Sequence, residues 1–224
     1  QGGCNATVRA LHTDGSDLIA GGEFTTAAGA SHRHIARWDG AGWTALGSGA
    51  DSSVYAIHRT PSKLIVGGRF AHAGGLAVRS LGFWDADGWH ATGYGTDGPV
   101  YAMIQTDSLL YVGGFFSHAG GGPASNIACW DGLRWQALGS GMNAPVHTLF
   151  AHGGDVYTGG LFTQAGGIAA NRIARWSASS WSPLGSGLNN AVDDIDTLDG
   201  MLVASGAFSM AGGNAANRAA RWNG

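Results

Sequence analysis

The residues of this sequence that can do chemistry recur at one fixed interval and do not cluster. One series, spaced 46 residues apart, changes in type but stays polar or aromatic. Its members are Arg9, Tyr55, Tyr101, His147 and Asp193. Such side chains bind ligands through hydrogen bonds, ion pairs and ring contacts, so the series predicts a ligand-binding site if its members ring one surface. The alternative explanation is that these residues face solvent at a wide channel mouth, where the residue type is free to vary.

Acidic residues are the candidates for catalysis. The chain has one glutamate, Glu23, and three neighbouring acids, Asp193, Asp194 and Asp196, all in one repeat. An enzyme acting on a polysaccharide would use such carboxylates as acid and base, whereas solvated charges at a strand end explain them more simply. Serine nucleophile elbows are absent, and the Gly-x-Gly pairs precede strands, not the helix that a nucleotide site requires. We therefore predict no catalytic residues.

Oxygen and imidazole side chains are the candidate metal ligands. Five Asn or Asp residues share one repeat position: Asn5, Asp51, Asp97, Asn143 and Asn189. Calcium would suit a ring of oxygens, but turn capping explains the same placement without a metal. His72 and His118, in the loop after the second strand, lie 46 residues apart, too far to share one zinc. His32 and His34 supply two ligands at most. We predict no metal and no cofactor.

Nine tryptophans form a further candidate set. Four of them open the last strand of successive repeats: Trp43, Trp89, Trp135 and Trp181. An exposed indole beside polar groups is a platform for a sugar ring, whereas large rings at fixed repeat positions are more typical of core packing. The exposure of these four rings separates the two interpretations.

An internal repeat covering the whole chain positions all of these residues. Five tryptophans fall 46 residues apart: Trp38, Trp84, Trp130, Trp176 and Trp222. Series beginning at Val8, Phe24 and Gly29 keep the same spacing. Each copy contains four short strands, in the second copy at 54–58, 64–70, 81–85 and 89–93. The Gly-Gly pair that follows the second strand predicts either a positive φ or a close approach of a neighbouring sheet.

Four such strands fill one propeller blade. The sequence therefore predicts an all-β fold, a five-bladed β-propeller built from four-stranded repeats within a single domain, 1–224. The repeats span approximately 1–46, 47–92, 93–138, 139–184 and 185–224. The final copy lacks the six residues equivalent to 41–46, so we expect the last blade to lack its outermost strand. We expect the ring to close by packing of the last blade on the first; five units cut from a larger ring or array are the alternative.

The strand order and the Gly-Gly pair resemble the kelch repeat and the blades of galactose-oxidase-like propellers. The stretch "LYVGGFFSHAGG…SNIACWDGLRWQALGSGM" (109–142) resembles a repeat found in large secreted and cell-surface bacterial proteins. The resemblance implies a propeller at an extracellular or cell-surface location, and leaves function open. The copper site of galactose oxidase is not matched, because Cys129 occupies a structural third-strand position.

Composition excludes several classes of protein. Charged residues make up 12% of the chain, the formal net charge is −3, and no basic run exists to follow a nucleic-acid backbone. Apolar stretches are strand-sized, so membrane insertion is not expected. Cys4 and Cys129 are too few for a disulfide framework, and Asn5-Ala6-Thr7 fits the glycosylation pattern. Gln1 without an initiator methionine suggests a processed chain or a piece of a longer precursor.

These observations favour a non-catalytic extracellular module that mediates protein docking or self-assembly. A lectin with one sugar site per blade is the alternative, and an enzyme acting on a polysaccharide comes third. No nucleic-acid partner and no membrane insertion are expected.

Ring closure is directly testable. A chain whose last blade packs on its first should give the small-angle scattering profile of a compact particle. An elongated profile would contradict closure.

Overall fold

The computed structural model describes residues 2–222, and within that range every regular element is a β-strand. Asn223 and Gly224, the last residues of the fifth copy, lie outside the described residues. The chain forms two compact units, residues 1–100 and 101–224, which hold the first two and the last three repeats. No helix in the described part of the chain is long and apolar enough to cross a membrane.

The first two repeats each contribute six strands. Repeat 1 contains β1 (Val8–Asp14), β2 (Asp17–Gly22), β3 (Thr26–Ala27), β4 (Ala30–Ser31), β5 (Ile35–Trp38) and β6 (Trp43–Ala45). Repeat 2 contains β7 (Val54–Arg59), β8 (Leu64–Gly68), β9 (His72–Ala73), β10 (Leu76–Ala77), β11 (Leu81–Asp85) and β12 (Gly88–Ala91).

The remaining repeats follow the same order. Repeat 3 contains β13 (Val100–Thr106), β14 (Leu109–Gly114), β15 (His118–Ala119), β16 (Gly122–Pro123), β17 (Ile127–Trp130) and β18 (Trp135–Ala137). Repeat 4 contains β19 (Val146–His152), β20 (Asp155–Gly160), β21 (Gln164–Ala165), β22 (Ile168–Ala169), β23 (Ile173–Ser177) and β24 (Ser180–Pro183). Repeat 5 contains β25 (Val192–Leu198), β26 (Met201–Gly206), β27 (Met210–Ala211), β28 (Asn214–Ala215) and β29 (Ala219–Arg221).

Each repeat forms one antiparallel meander, as predicted. The first sheet has the order β1-β2-β5-β6, and repeats 2, 3 and 4 reproduce it. Among the described residues the fifth sheet contains β25-β26-β29. The predicted all-β fold of five blade-like repeats is therefore confirmed.

A two-stranded ribbon in every repeat was not predicted. It follows the second strand of each sheet, where the sequence indicated only a loop, and pairs β3 with β4 and its equivalents. Each ribbon turns through a glycine in the left-handed conformation, with φ between 81° and 85°: Gly29, Gly75, Gly121, Gly167 and Gly213. Residues other than glycine adopt this conformation at a cost, which accounts for the constant spacing of this series.

The Gly-Gly pair at the end of the second strand provides space, not an unusual φ. A Cβ atom on Gly21 would lie 2.4 Å from Cγ1 of Val54, and one on Gly159 would lie 2.5 Å from Cγ1 of Val192. Both valines are fully buried at the start of the next repeat's first strand. Of the two predicted explanations, the close approach of a neighbouring sheet is therefore correct.

His32 is the most unusual buried residue of the first unit. Its side chain is 6% exposed, and neither ring nitrogen has a hydrogen-bond partner. The equivalent residue of repeat 2 is Val78, which is fully buried. Burying a polar group without a partner lowers stability, so His32 occupies an apolar position at an energetic cost.

We expect His32→Val to stabilise the chain by about 1–2 kcal/mol, because it removes the unpaired imidazole and keeps a similar volume. Chemical denaturation at neutral pH measures the change. The reciprocal variant, Val78→His, should destabilise the chain by a comparable amount. A destabilised His32→Val protein would indicate that the imidazole is satisfied in solution.

Candidate functional site

The candidate site begins with a β-bulge near the start of the first strand in repeats 1, 2, 4 and 5. Val8 pairs with Gly22 and Ala10 with Gly21, so Arg9 is an extra residue outside the ladder. The same register shift occurs at Tyr55, His147 and Asp193. Bulges change the direction of a side chain and are common beside functional sites. Four residues of the predicted series therefore project from bulges, and Tyr101 holds the equivalent position in β13.

In the second unit the structure brings three of these residues together. The rings of Tyr101 and His147 are edge to face, with centroids 6.2 Å apart. His147 Nδ1 lies 3.1 Å from Oδ1 of Asp193. The His147 side chain is 27% exposed and that of Asp193 is 58% exposed. Three successive repeats thus contribute to one accessible surface, here called the bulge surface and defined by Tyr101, His147 and Asp193.

In the first unit Arg9 forms an ion pair with Glu23. Its Nε and Nη2 donate to Oε1 of Glu23 at 3.0 and 2.7 Å. The hydrogen bond and the charge of Glu23 raise the pKa of Arg9, with a smaller contribution from Tyr55. The only glutamate in the chain therefore pairs with a residue of the predicted series.

Sequence reasoning missed a second variable series next to the bulges. It is the residue before the constant phenylalanine: Glu23, Arg69, Phe115, Leu161 and Ala207. The Leu161 backbone N–H donates to the carbonyl of Pro145 at 2.9 Å, two residues before His147. Phe115 and Leu161 are 57% and 38% exposed. The sequence did contain a signal for this series: the residue type at this position varies between repeats, although the next residue is always phenylalanine.

Two of the four fourth-strand tryptophans bond to the neighbouring repeat. Trp181 is 8% exposed, and Trp43, Trp89 and Trp135 are half-buried. The Nε1 of Trp89 donates to the carbonyl of Leu46 at 2.9 Å, and that of Trp181 to the carbonyl of Leu138 at the same distance. Each acceptor belongs to the preceding repeat. Trp89 and Trp181 therefore join adjacent repeats, and none of the four rings is an exposed plane.

The Asn and Asp series caps backbone, although not in the turn that the sequence suggested. Oδ1 of Asn143 accepts the N–H groups of Thr163 and Gln164 at 2.9 and 3.0 Å. Asn5 and Asn189 make the same pair of bonds 20 and 21 residues along the chain. These oxygens therefore hold the ribbon of their own repeat. The Nδ2 of Asn5, the atom that glycosylation would modify, donates to Oγ1 of Thr25.

Asp51 is the charged version of this cap. Its carboxylate accepts the backbone N–H of Ala71 and lies 2.9 Å from Nδ1 of His72. Burial favours the neutral acid, but the bonds from His72 and Ala71 outweigh it and lower the pKa of Asp51. His72 is thereby placed on the ribbon of its own repeat.

The acids of repeat 5 have separate partners. Asp193 faces His147, Asp194 Oδ1 accepts a long 3.4 Å bond from Oγ1 of Thr148, and Asp196 accepts the N–H of Thr197. Within residues 2–222 no group of three or more His, Cys, Asp or Glu side chains is close enough to hold a metal ion.

The two cysteines are both free thiols. Burial raises the pKa of the Cys129 thiol, and Asp131 adds to the shift. Burial also raises the pKa of Cys4. A raised pKa lowers the thiolate fraction and hence the reactivity of both side chains.

Comparison with known proteins supports the fold alone. No family model and no curated protein matches the chain. The computationally designed Ika8 protein is similar with 17% identity and a TM-score of 0.58, over 89% of this chain and 55% of that one. A chain of the mitotic checkpoint complex gives 15% identity and a TM-score of 0.57, over 91% and 60%. The designed Ika4 protein gives 17% and 0.51, over 78% and 92%. The chain thus spans little more than half the length of the first two, and the likeness is to a propeller-like repeat fold.

The joining role of the indoles can be measured at Trp181. We expect Trp181→Ala to lower the free energy of unfolding by about 3–5 kcal/mol, because a large buried ring is lost. Trp181→Phe should cost about 1–2 kcal/mol, since it loses mainly the bond to the Leu138 carbonyl. Trp222→Ala, at a 38% exposed ring, serves as the comparison and should cost less, about 2 kcal/mol, because more of its surface is already in water. Equal costs at the two sites would contradict the role.

Proposed function

We propose that the chain is a non-catalytic module that binds protein partners, and that the bulge surface of the second unit is where it docks them. The observation that carries the proposal is the contact between Tyr101, His147 and Asp193, which come from three successive repeats. Residues that vary between copies but meet in space form a surface specific to this chain. A propeller-like fold is commonly used as a scaffold for protein interaction.

The chemistry of this surface supports a protein partner. Leu161 and Phe115 add exposed apolar area next to the bulge positions of repeats 4 and 3. Tyr101 and His147 supply aromatic edges, and Asp193 supplies a charge at the margin. Aromatic and apolar side chains bordered by polar groups are typical of protein interfaces.

The placement of the acids supports a non-catalytic role. General acid–base chemistry needs two groups directed at one reacting centre. Asp193, Asp194 and Asp196 are instead bonded to three different neighbours along β25.

The four fourth-strand tryptophans do not support the alternative function, a lectin that binds sugars on exposed indole rings. Three of these rings are half-buried, the fourth is buried, and two of them bond to the preceding repeat. Binding to a glycan array would restore this alternative.

We further propose that the module acts outside the cell or at its surface, as a kelch-like repeat domain of a larger assembly. The resemblance of residues 109–142 to repeats of secreted bacterial proteins is the support for this location. Detection of the protein in the surface or secreted fraction of its native cells tests the proposal.

The docking surface is tested with a double variant, Phe115→Ser with Leu161→Ser, and a matched control, Leu133→Ser. Leu133 is 90% exposed at the tip of a hairpin in repeat 3, so all three changes should leave stability within about 0.5 kcal/mol. Sedimentation velocity from low to high concentration measures self-assembly. A photo-reactive residue at position 161 or 133 measures binding to a separate protein from native material.

We expect association, or a cross-linked partner identified at position 161, that the double variant loses and Leu133→Ser retains. A monomer at every concentration, together with no cross-link specific to position 161, would overturn the proposed function. Equal loss in both variants would exclude this surface as the docking site.

A further inference from the structure

The interface between repeats 1 and 2, within the first unit, contains a cavity of about 400 Å³. This volume lies in the range of small-molecule sites. The lining includes the buried side chains of Ile19, Leu46 and Leu64 and the half-buried indole of Trp84. Two arginines and two hydroxyl groups add polar donors: Arg37, Arg59, Thr44 and Ser62. We call this space the arginine cavity.

Ile19, on β2, is where this interface differs most from the others in size. By the 46-residue period its equivalents in repeats 3 and 4 are Tyr111 and Tyr157. Each tyrosine is 8% exposed and belongs to the core between its own repeat and the next. Ile19 pairs with Arg37 in the register in which Tyr111 pairs with Cys129, so the two side chains leave their sheets on the same face. An isoleucine therefore stands where two other repeats place a buried phenol ring.

The charged lining is also specific to this interface. Arg37 and Arg59 come from repeats 1 and 2, one on each side of the cavity. Neither of the two interfaces that contain the tyrosine has both arginines: the equivalents are Cys129 with Ala151, and Arg175 with Thr197. The smaller residue at position 19 thus coincides with a pair of guanidinium groups.

Asp17 holds Arg37 in position. Nε and Nη2 of Arg37 both contact Oδ2 of Asp17, which is 8% exposed. The Arg37 side chain is 51% exposed, so this side of the cavity is open to solvent. A guanidinium carries five N–H donors, so an arginine that already has a partner keeps donors for a ligand. Its planar shape suits a carboxylate in particular, through paired charge-assisted hydrogen bonds.

Asp85 also borders the cavity, but its carboxylate is already bonded. Its Oδ1 accepts the backbone N–H of Asp87 at 3.0 Å and lies 2.9 Å from Nε2 of His90. Desolvation favours the neutral acid, but these bonds and the charge of Lys63 outweigh it and lower the pKa of Asp85. An ionised Asp85 repels a second carboxylate, so a ligand's acid group is directed to the arginines.

We propose that the arginine cavity binds a small aromatic carboxylate. The ring takes the place that the tyrosine has in repeats 3 and 4, beside the indole of Trp84, and the carboxylate binds Arg37 and Arg59. Packing of a ring against an indole adds to the free energy gained from apolar burial, and the charge-assisted bonds fix its orientation. The cavity belongs to the first unit, so this proposal does not depend on docking at the bulge surface.

The test is an NMR titration of the full chain with 4-hydroxybenzoate, which combines a phenol ring with a carboxylate. We expect the indole N–H signal of Trp84, assigned with Trp84→Phe, to shift with a Kd between about 10 µM and about 1 mM. The neutral analogue 4-hydroxybenzyl alcohol should bind at least about tenfold more weakly, because it cannot form the charge-assisted bonds. Acetate, which lacks the ring, should leave the signal unchanged at about 10 mM.

Two variants locate the binding. Ile19→Tyr installs the residue that repeats 3 and 4 carry, so the chain should fold and lose the ligand because the ring fills the cavity. Arg59→Ala installs the residue of repeat 4 and should weaken binding at least about fivefold. Arg37 is left intact, because its loss would leave the buried Asp17 without its ion pair. Arg134→Ala, at an exposed hairpin of repeat 3, is the matched charge control and should keep full affinity.

The Tm of each variant shows whether it folds, and Arg59→Ala decides the question if Ile19→Tyr does not. Absence of any shift with 4-hydroxybenzoate at about 10 mM would overturn the proposal. So would unchanged affinity in folded Ile19→Tyr or in Arg59→Ala, or equal affinity for the alcohol. Preferential binding of glucuronate would assign the cavity to a sugar acid and would also overturn it.

Discussion

The structure depends on the absence of one Cβ atom at the end of the second strand of a blade. At Gly21, Gly113 and Gly159 the backbone approaches the first-strand valine of the next repeat so closely that any side chain would overlap it. These contacts bury the valine completely and fix the distance between adjacent sheets. Close packing of this kind is destabilised by a single added or removed methyl group. Repeats 1 to 4 keep this glycine at a spacing of 46 residues, as Gly21, Gly67, Gly113 and Gly159, whereas repeat 5 has Ser205 at the equivalent position.

The second glycine of the pair links this constraint to the candidate site. A Cβ on Gly22 or Gly160 would lie 2.2 Å from the carbonyl of the residue preceding the first strand. Beside this contact the ladder skips one residue, which is the bulged Arg9 or His147. Because a bulged residue makes no ladder pair, its type is free to change without loss of the sheet. The scaffold is therefore constant at the glycines and variable at their neighbours.

The sequence predicted the features that follow from the 46-residue period, and it failed on those that depend on which residues contact each other in the folded chain. Strand bounds such as 81–85 and the four-stranded order of the first four sheets agree with the structure. The ribbons were missed because two-residue strands carry no alternation that a pattern can show. The partners of Asn143 lie 20 residues away, so turn chemistry alone could not identify them. The pairing of His147 with Asp193 required knowing that successive first strands lie side by side. Exposure of Phe115 and burial of Trp181 likewise depend on the fold.

The contacts between repeats run in one direction. A glycine of one repeat receives a valine of the next, and an indole of the next repeat bonds back to a carbonyl of the one before. Within the two units, the interfaces between repeats 1 and 2, 3 and 4, and 4 and 5 are therefore head-to-tail. Insertion or deletion of a whole 46-residue copy would recreate the same joint on either side of the change. Such a chain can change its number of units by gene duplication or unequal recombination without redesigning any joint, and each added unit brings a new bulge position for selection to modify.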